Sequence, residues 1–487
     1  MIKPQSRRGF ISAVAGAAAG SLAGPSIMPA RALGRGATPP SDRVTVGIIG
    51  SGGRGVFETG QYPFFTNVQI VAVSDAQQTR RENAKNTLEK IYSQTRPEGS
   101  YHGIDMIADF RELLARKDID GVYIAAPDHW HVAMAMAALK AGKHVHCEKP
   151  LGVSVQQDLA ARKAVRQSKK MVQYGAEGRS TRDARKAIEL VLNGRIGKVQ
   201  KIYVVSPPSV SGGSPTPVIQ PPAGFDYDMW LGPAPVKPFC ADRCLQGFQN
   251  NNGIFYIYDY CLGMIGNWAA HSLDQVQWWA DHSGRKSPPV KYEGAGQIPT
   301  EGLFDVATHW DVRCTYDDGL VLHMVDNETY RKYDDAPHPQ AAFGFGRPGV
   351  TAVHNGAIFI GTEGWVIDAY EKTVTSPDSL MQSVIGPNEI HLPDTALTAI
   401  PEGMSKGYQQ VATAGHHQNW IQAIRTGTPP IGDLESASRS DLVSNLSELC
   451  VRTGKSLQWD PRKETIVGND EARKMIARPM RAPWGVA

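Results

Sequence analysis

The chain has 487 residues, 41% apolar and 20% charged, which suits a folded protein of two or three domains and excludes a disordered one. Its 51 basic and 48 acidic side chains leave a formal charge of +3, too balanced to point to nucleic acid or an anionic membrane as partner. Six cysteines are too few for a disulfide framework at this length. Cys240 and Cys244 fit small core residues better than an exported pair, and nothing beside them has zinc-site spacing, so no metal is expected.

Residues 1–32 read as a targeting segment. Ser6-Arg7-Arg8-Gly9-Phe10-Ile11 resembles the twin-arginine export motif, an Ala/Gly-rich stretch follows, and Ala30-Arg31-Ala32 offers an A-x-A cleavage site. The apolar run is shorter than the ~20 residues a membrane-crossing helix needs, so the expectation is export without stable membrane insertion. Twin-arginine export carries folded proteins, which suits a chain that binds a nucleotide before leaving the cytoplasm. Residues 33–42 read as a linker.

A nucleotide-binding domain is expected over residues 43–174. Val44, Val46, Ile48 and Ile49 form a charge-free, β-branched run, the mark of a buried parallel strand. It leads into Gly50-Ser51-Gly52-Gly53-Arg54-Gly55, which fits G-x-G-x-x-G. Gly50 permits the tight turn, Gly52 lets backbone approach a pyrophosphate, and Gly55 lets the next helix pack on the strand. That helix turns its N–H groups toward the phosphates. A second apolar run, 68–75, ends in Asp75, where the ribose-binding carboxylate belongs. Helices are expected over 76–91, 107–115, 131–141 and 153–168, and further strands over 120–127, 143–147 and 171–174. This alternation implies an α/β, doubly wound parallel sheet with its ligands at the carboxyl ends of the strands. Gly50, Asp75, Pro127 and Lys149 fall at such ends.

Residues 175–487 change pattern. A helix is expected over 181–192, a strand over 199–205 and a long loop over 206–224. Hairpin signals then stand at Asp317-Asp318-Gly319 and Thr362-Glu363-Gly364, flanked by strand patterns. They suggest an α+β domain with a mostly antiparallel open sheet. Helices over 416–425 and 436–453 and an extended tail through Trp484 complete the chain.

Two stretches carry chemistry. Pro150 holds Lys149 out of helical geometry, and a partly desolvated ammonium there polarises a substrate oxygen. Asn267, His271 and Asp274 stand at i, i+4 and i+7, on one face of a helix, where His271 suits general base work and a carboxylate tunes it. By themselves these residues equally fit a surface lysine and a satisfied buried histidine.

With Ala126-Pro127-Asp128-His129-Trp130-His131 and Gly142-Lys143-His144-Val145-His146-Cys147-Glu148-Lys149-Pro150, these stretches resemble the Gfo/Idh/MocA family, the glucose–fructose oxidoreductase and inositol dehydrogenase type. The resemblance runs from about Arg43 to the end. Trp230-Leu231-Gly232-Pro233-Ala234-Pro235 and Trp459-Asp460-Pro461 resemble an exported subgroup of it. The resemblance implies that Lys149 is the catalytic lysine and His271 the base or acid for a substrate hydroxyl. The family often has Asp four residues before that histidine. This chain has Asn267, which cannot relay a proton but can bind a hydroxyl.

The resulting expectation is an enzyme that transfers a hydride between a nicotinamide cofactor and a secondary alcohol of a sugar, polyol or glycoside. Its cofactor contacts would be Gly50, Ser51, Gly52, Gly53, Arg54, Gly55, Asp75, Pro127, His131, Glu148 and Lys149. Its substrate contacts would be Lys149, Arg179, Asn267, His271 and Asp274. Asp75 favours NAD, while Arg80 and Arg81 keep NADP open. Export favours a tightly held nucleotide, and the resemblance implies a homo-oligomer, dimer or tetramer. The alternative is a glycosidase that oxidises its sugar transiently on NAD, a branch that resembles this chain less well at Glu148-Lys149-Pro150.

Overall fold

The computed structural model describes residues 42–96, 103–214, 217–244, 253–285, 287–338, 353–369 and 372–485. The expected targeting segment and, apart from Asp42, the linker lie outside the described residues.

The first half is a six-stranded parallel sheet in the order β3-β2-β1-β4-β5-β6. Its strands are β1 (Val44–Ile49), β2 (Val68–Ser74), β3 (Asp105–Ile107), β4 (Gly121–Ile124), β5 (His144–Glu148) and β6 (Val172–Gly175). β1 and β2 are rich in β-branched residues because helices cover both faces, and β1 buries nearly every side chain. Chain order reverses between β1 and β4, and a crevice opens at their carboxyl ends.

One expected helix needs correcting. Ile107 ends β3 beside Ser74 instead of starting a helix. The helix begins at Phe110 because Asp109 Oδ1 accepts the Arg111 N–H at 2.8 Å, an N-cap.

The second half builds a nine-stranded sheet, β13-β12-β11-β7-β10-β9-β8-β14-β15. These strands are β7 (Val199–Ser206), β8 (Lys291–Gln297), β9 (His309–Thr315), β10 (Val321–Asp326), β11 (Gly356–Gly361), β12 (Trp365–Asp368), β13 (Thr373–Ser376), β14 (Leu457–Asp460) and β15 (Thr465–Val467). All pairs are antiparallel except β10 with β7. Helices Ala269–His282 and Leu434–Thr453 cover one face and enclose the largest apolar core.

The helix at Tyr408–Thr426 starts eight residues before its expected start at 416. Its first turns carry small residues that pack closely: a Cβ on Gly415 would stand 3.0 Å from the Thr395 carbonyl oxygen. Among the described residues no helix is long and apolar enough to cross a membrane. All six cysteines are buried and free, Cys240 and Cys244 included.

Candidate active site

The glycine turn is shaped by backbone contact. Gly50 has φ +86°, and a Cβ there would sit 2.4 Å from Ala126 N; one on Gly55 would sit 2.2 Å from Gly50 O. Only glycine fits either place. Gly53 faces open space, so the start of helix Gly53–Thr59 is free to receive a ligand. A groove runs from this turn past Asp75, Arg80, Pro127, Trp130 and Trp230.

Asp75 is anchored rather than loose. Its Oδ2 accepts Ser51 N–H and its Oδ1 accepts Gln77 N–H, each at 2.9 Å. Arg81 donates to the Asp75 carbonyl, whereas half-buried Arg80 lines the groove beside Gly52. The groove fits a dinucleotide. Besides the open cradle at Gly53, the Ser51 hydroxyl is buried with no hydrogen-bond partner, a polar atom placed to meet a ligand at the turn. Gly50 to Gly55 and Asp75 would hold the pyrophosphate and ribose.

His131 spends both ring nitrogens on backbone carbonyls, Pro150 O at 2.6 Å and Ala126 O at 2.8 Å. It therefore ties the loop after β4 to the turn after β5. The tail packs on two residues that line the groove. Trp484 packs against Trp130 and Phe110, with ring centroids 4.8 and 6.0 Å away, and Arg111 lies over its ring.

Lys149 leaves β5 at its carboxyl end. Leu151 N–H donates to Asp441 and Tyr174 Oη to the same carboxyl at 2.7 Å, so helix Leu434–Thr453 pins the turn that carries the lysine. Lys149 Nζ reaches Asn267 Oδ1 at 3.0 Å and lies 6.0 Å from the Trp268 ring centroid. Burial, then the nearby Arg54 guanidinium, pulls its ammonium below the usual lysine range. Asp128 stands close by, pushed up to about 6 by burial.

The face expected to carry Asn267, His271 and Asp274 together is divided. The backbone stays helical through Trp268 (φ −79°, ψ −36°), between helices Met264–Asn267 and Ala269–His282, and tightens there, His271 N–H donating to Trp268 O three residues back. Each side chain then finds a different partner. Asn267 meets Lys149. His271 Nδ1 lies 3.8 Å from Glu177 Oε2. Asp274 forms a buried bidentate pair with Arg179, both bonds 2.8 Å, and Ser436 Oγ receives the same guanidinium at 2.7 Å. Arg179 and Asp274, expected at the substrate, thus saturate each other inside the protein, and Asp274 does not reach His271. Burial lowers His271 to about 3, so its imidazole is neutral at physiological pH.

Three carboxylates surround Arg54. Glu58 Oε1 lies 2.8 Å from its Nη2, Glu177 Oε1 3.3 Å from the same nitrogen, and Glu148 Oε2 3.9 Å from Nε. Glu148 also accepts the Tyr123 hydroxyl at 2.5 Å. Burial raises Glu148, and pushes Glu58 up to about 8, against the pull of Arg54. Glu177, Glu58 and Trp484 were not anticipated as site residues. Glu177 stands two residues beyond the carboxyl end of β6, where the strand-end rule that selected Lys149 also applies.

Comparison with known proteins matches two family descriptions. "Oxidoreductase family, NAD-binding Rossmann fold" covers residues 44–176, and "Oxidoreductase family, C-terminal alpha/beta domain" covers residues 190–344 and 391–486. A relative from Shewanella putrefaciens named "Glycosyl hydrolase family 109 protein" is 38% identical over 120 residues, 24% of this chain and 25% of that protein. The match to a namesake from Shewanella baltica is 33% identical over 164 residues, 31% of this chain and 35% of that protein. The chain therefore spans only about a quarter to a third of the length of these curated relatives. A solved levoglucosan dehydrogenase, in complex with NADH and levoglucosan, shares the fold with a TM-score of 0.57 and 17% identity, covering 85% of this chain and 99% of its own.

Proposed function

Because the chain belongs to the Gfo/Idh/MocA oxidoreductase family, we infer that it transfers a hydride between a nicotinamide dinucleotide and a secondary alcohol of a sugar, polyol or glycoside. The observation that carries this reading is the meeting of Lys149, at a strand end next to the nucleotide groove, with Asn267, four residues before a neutral buried His271. His271 accepts the proton of the reacting hydroxyl. Lys149, a cation in a poorly hydrated place, stabilises the developing alkoxide. Asn267 Oδ1 fixes the ammonium, and the same amide also hydrogen-bonds Asp128. When bound, the nicotinamide supplies the hydride chemistry.

Asp75 favours a free ribose 2′-hydroxyl and so NAD; Arg80 at the same edge is the kind of cation a 2′-phosphate uses, which brings NADP into the test. The twin-arginine motif supports export of the folded chain with its nucleotide held tightly and recycled between paired substrates. The open nine-stranded sheet supports a homo-oligomer. One specific observation favours a second reading: the curated relatives are named glycosyl hydrolases, consistent with transient oxidation, elimination and re-reduction of a glycoside.

Turnover of a sugar and polyol panel by wild type, Lys149→Ala and His271→Gln tests the reading. Both variants should keep their nucleotide and lose turnover. Aglycone release from nitrophenyl glycosides without net nucleotide reduction would select the second reading. Full turnover in both variants would overturn the first.

A further inference from the structure

We propose that Glu177 is the positioning carboxylate of the His271 base, delivered from the turn after β6 in place of an acid on the histidine's own helix. The proposal rests on the reading of Lys149 and His271 given above. It starts from Asn267: the family's common acid is an amide here, and its Oδ1 is engaged by Lys149 at 3.0 Å. The next acid along the helix, Asp274, is locked to Arg179. Among the described residues, the carboxylate within ion-pair distance of His271 is Glu177.

The two oxygens of Glu177 divide the work. Oε1 faces Arg54 Nη2 at 3.3 Å, and Oε2 faces His271 Nδ1 at 3.8 Å. Both the glutamate and the histidine are buried, so their interaction is weakly screened. The separation exceeds a hydrogen bond, and such contacts commonly tighten once substrate binds. With Nδ1 toward the carboxylate, Nε2 is the nitrogen that takes the proton in this proposal. In the step proposed, the hydroxyl O–H bond breaks and its proton moves to Nε2. A bound nicotinamide would supply the acceptor for the carbinol C–H electron pair as hydride, and the alcohol would then become a ketone. The imidazolium formed keeps Nδ1–H toward an ionised Glu177, which lowers the cost of charging a buried ring.

The Arg54 guanidinium lies against Glu177. Arg54 faces it from helix Gly53–Thr59, and the two neighbouring acids, Glu148 and Glu58, are those that burial pushes toward protonation. His271 is faced by Glu177, by Lys149 from β5 and by Arg54; the Trp268 ring stands 5.7 Å away, and Ser272, Gln275 and Asp368 share its small cavity. His416 and His417, from helix Tyr408–Thr426, also feel the charge of Glu177. Arg54 belongs to the glycine turn, so one side chain joins the nucleotide cradle to the base.

The test uses the full purified chain with labelled histidine, the His271 signal being assigned by its loss in His271→Gln. Nitrogen NMR should find wild-type His271 protonated on Nδ1. Glu177→Gln should shift it toward the Nε2–H tautomer and lower kcat about 10²-fold, with KM within about twofold. Glu177→Asp should restore the tautomer and at least about a tenth of the rate, a recovery not expected from a merely structural carboxylate. An Nε2–H tautomer in wild type, or an E177Q kcat within about twofold of wild type, would overturn the proposal. If E177Q fails to fold, the wild-type tautomer and the E177D rate still decide it. Full turnover in Lys149→Ala and His271→Gln would instead refute the catalytic reading, whatever the tautomer.

Discussion

The glycine turn and the charged cluster beside it lie at neighbouring strand ends and are built in opposite ways. The turn is backbone work: Gly50 against Ala126 N and Gly55 against Gly50 O make approaches that no side chain would permit. The cluster is side-chain work across distant parts of the chain, with Arg54 and Glu58 from one helix and Glu148, Glu177 and His271 from three further elements. The turn therefore offers one generic service, a place for a dinucleotide, while the cluster can be rewired by single substitutions.

Substitutions can separate the two regions. The largest effect is expected from Arg179→Ala. It leaves Asp274 as a buried unpaired charge and should cost about 3–5 kcal/mol in denaturant unfolding. A loss below about 1 kcal/mol would return Arg179 to the list of substrate contacts. Lys149→Ala should lower kcat about 10²–10³-fold while nucleotide content stays unchanged, because the groove does not depend on it. Gly50→Ala should do the reverse. Its methyl meets Ala126 N at φ +86°, a strain of about 1–3 kcal/mol, and the readout is lost nucleotide with a lowered Tm.

The smallest effect is a pH trend. Glu58 is raised from 4.5 to about 8, so the folded state holds a proton that the unfolded state releases. Its stabilising contribution is complete below pH 4.5 and is lost as pH rises through 8. Glu58→Gln should escape that loss, and the Tm of wild type minus that of E58Q should fall between pH 5 and 8. A flat difference would mean that Arg54 keeps Glu58 ionised.

Legibility followed the same division. The strand–glycine–helix unit, the alternation behind the parallel sheet and both hairpins could be read because each depends on local pattern. Helix Tyr408–Thr426 was read too short because small, mixed residues at its start carry little periodicity. Lys149 was legible from its place after a strand and before Pro150. The partners of His271 were not, since spacing gives a helical face but not the groups that other elements bring to it. Nor does spacing reveal that Arg179, 95 residues away in sequence, claims Asp274. Glu177 was within reach of the strand-end rule but lies outside every motif that had drawn notice.

The most direct test of the central claim is the nucleotide itself. The purified chain would be denatured, any released nucleotide identified by mass spectrometry, and added NAD(H) and NADP(H) titrated through tryptophan fluorescence, since Trp130 and Trp230 line the groove. The account predicts close to one nicotinamide dinucleotide per chain, either carried through purification or bound on titration and lost in Gly50→Ala. A chain that neither releases nor binds one would contradict it.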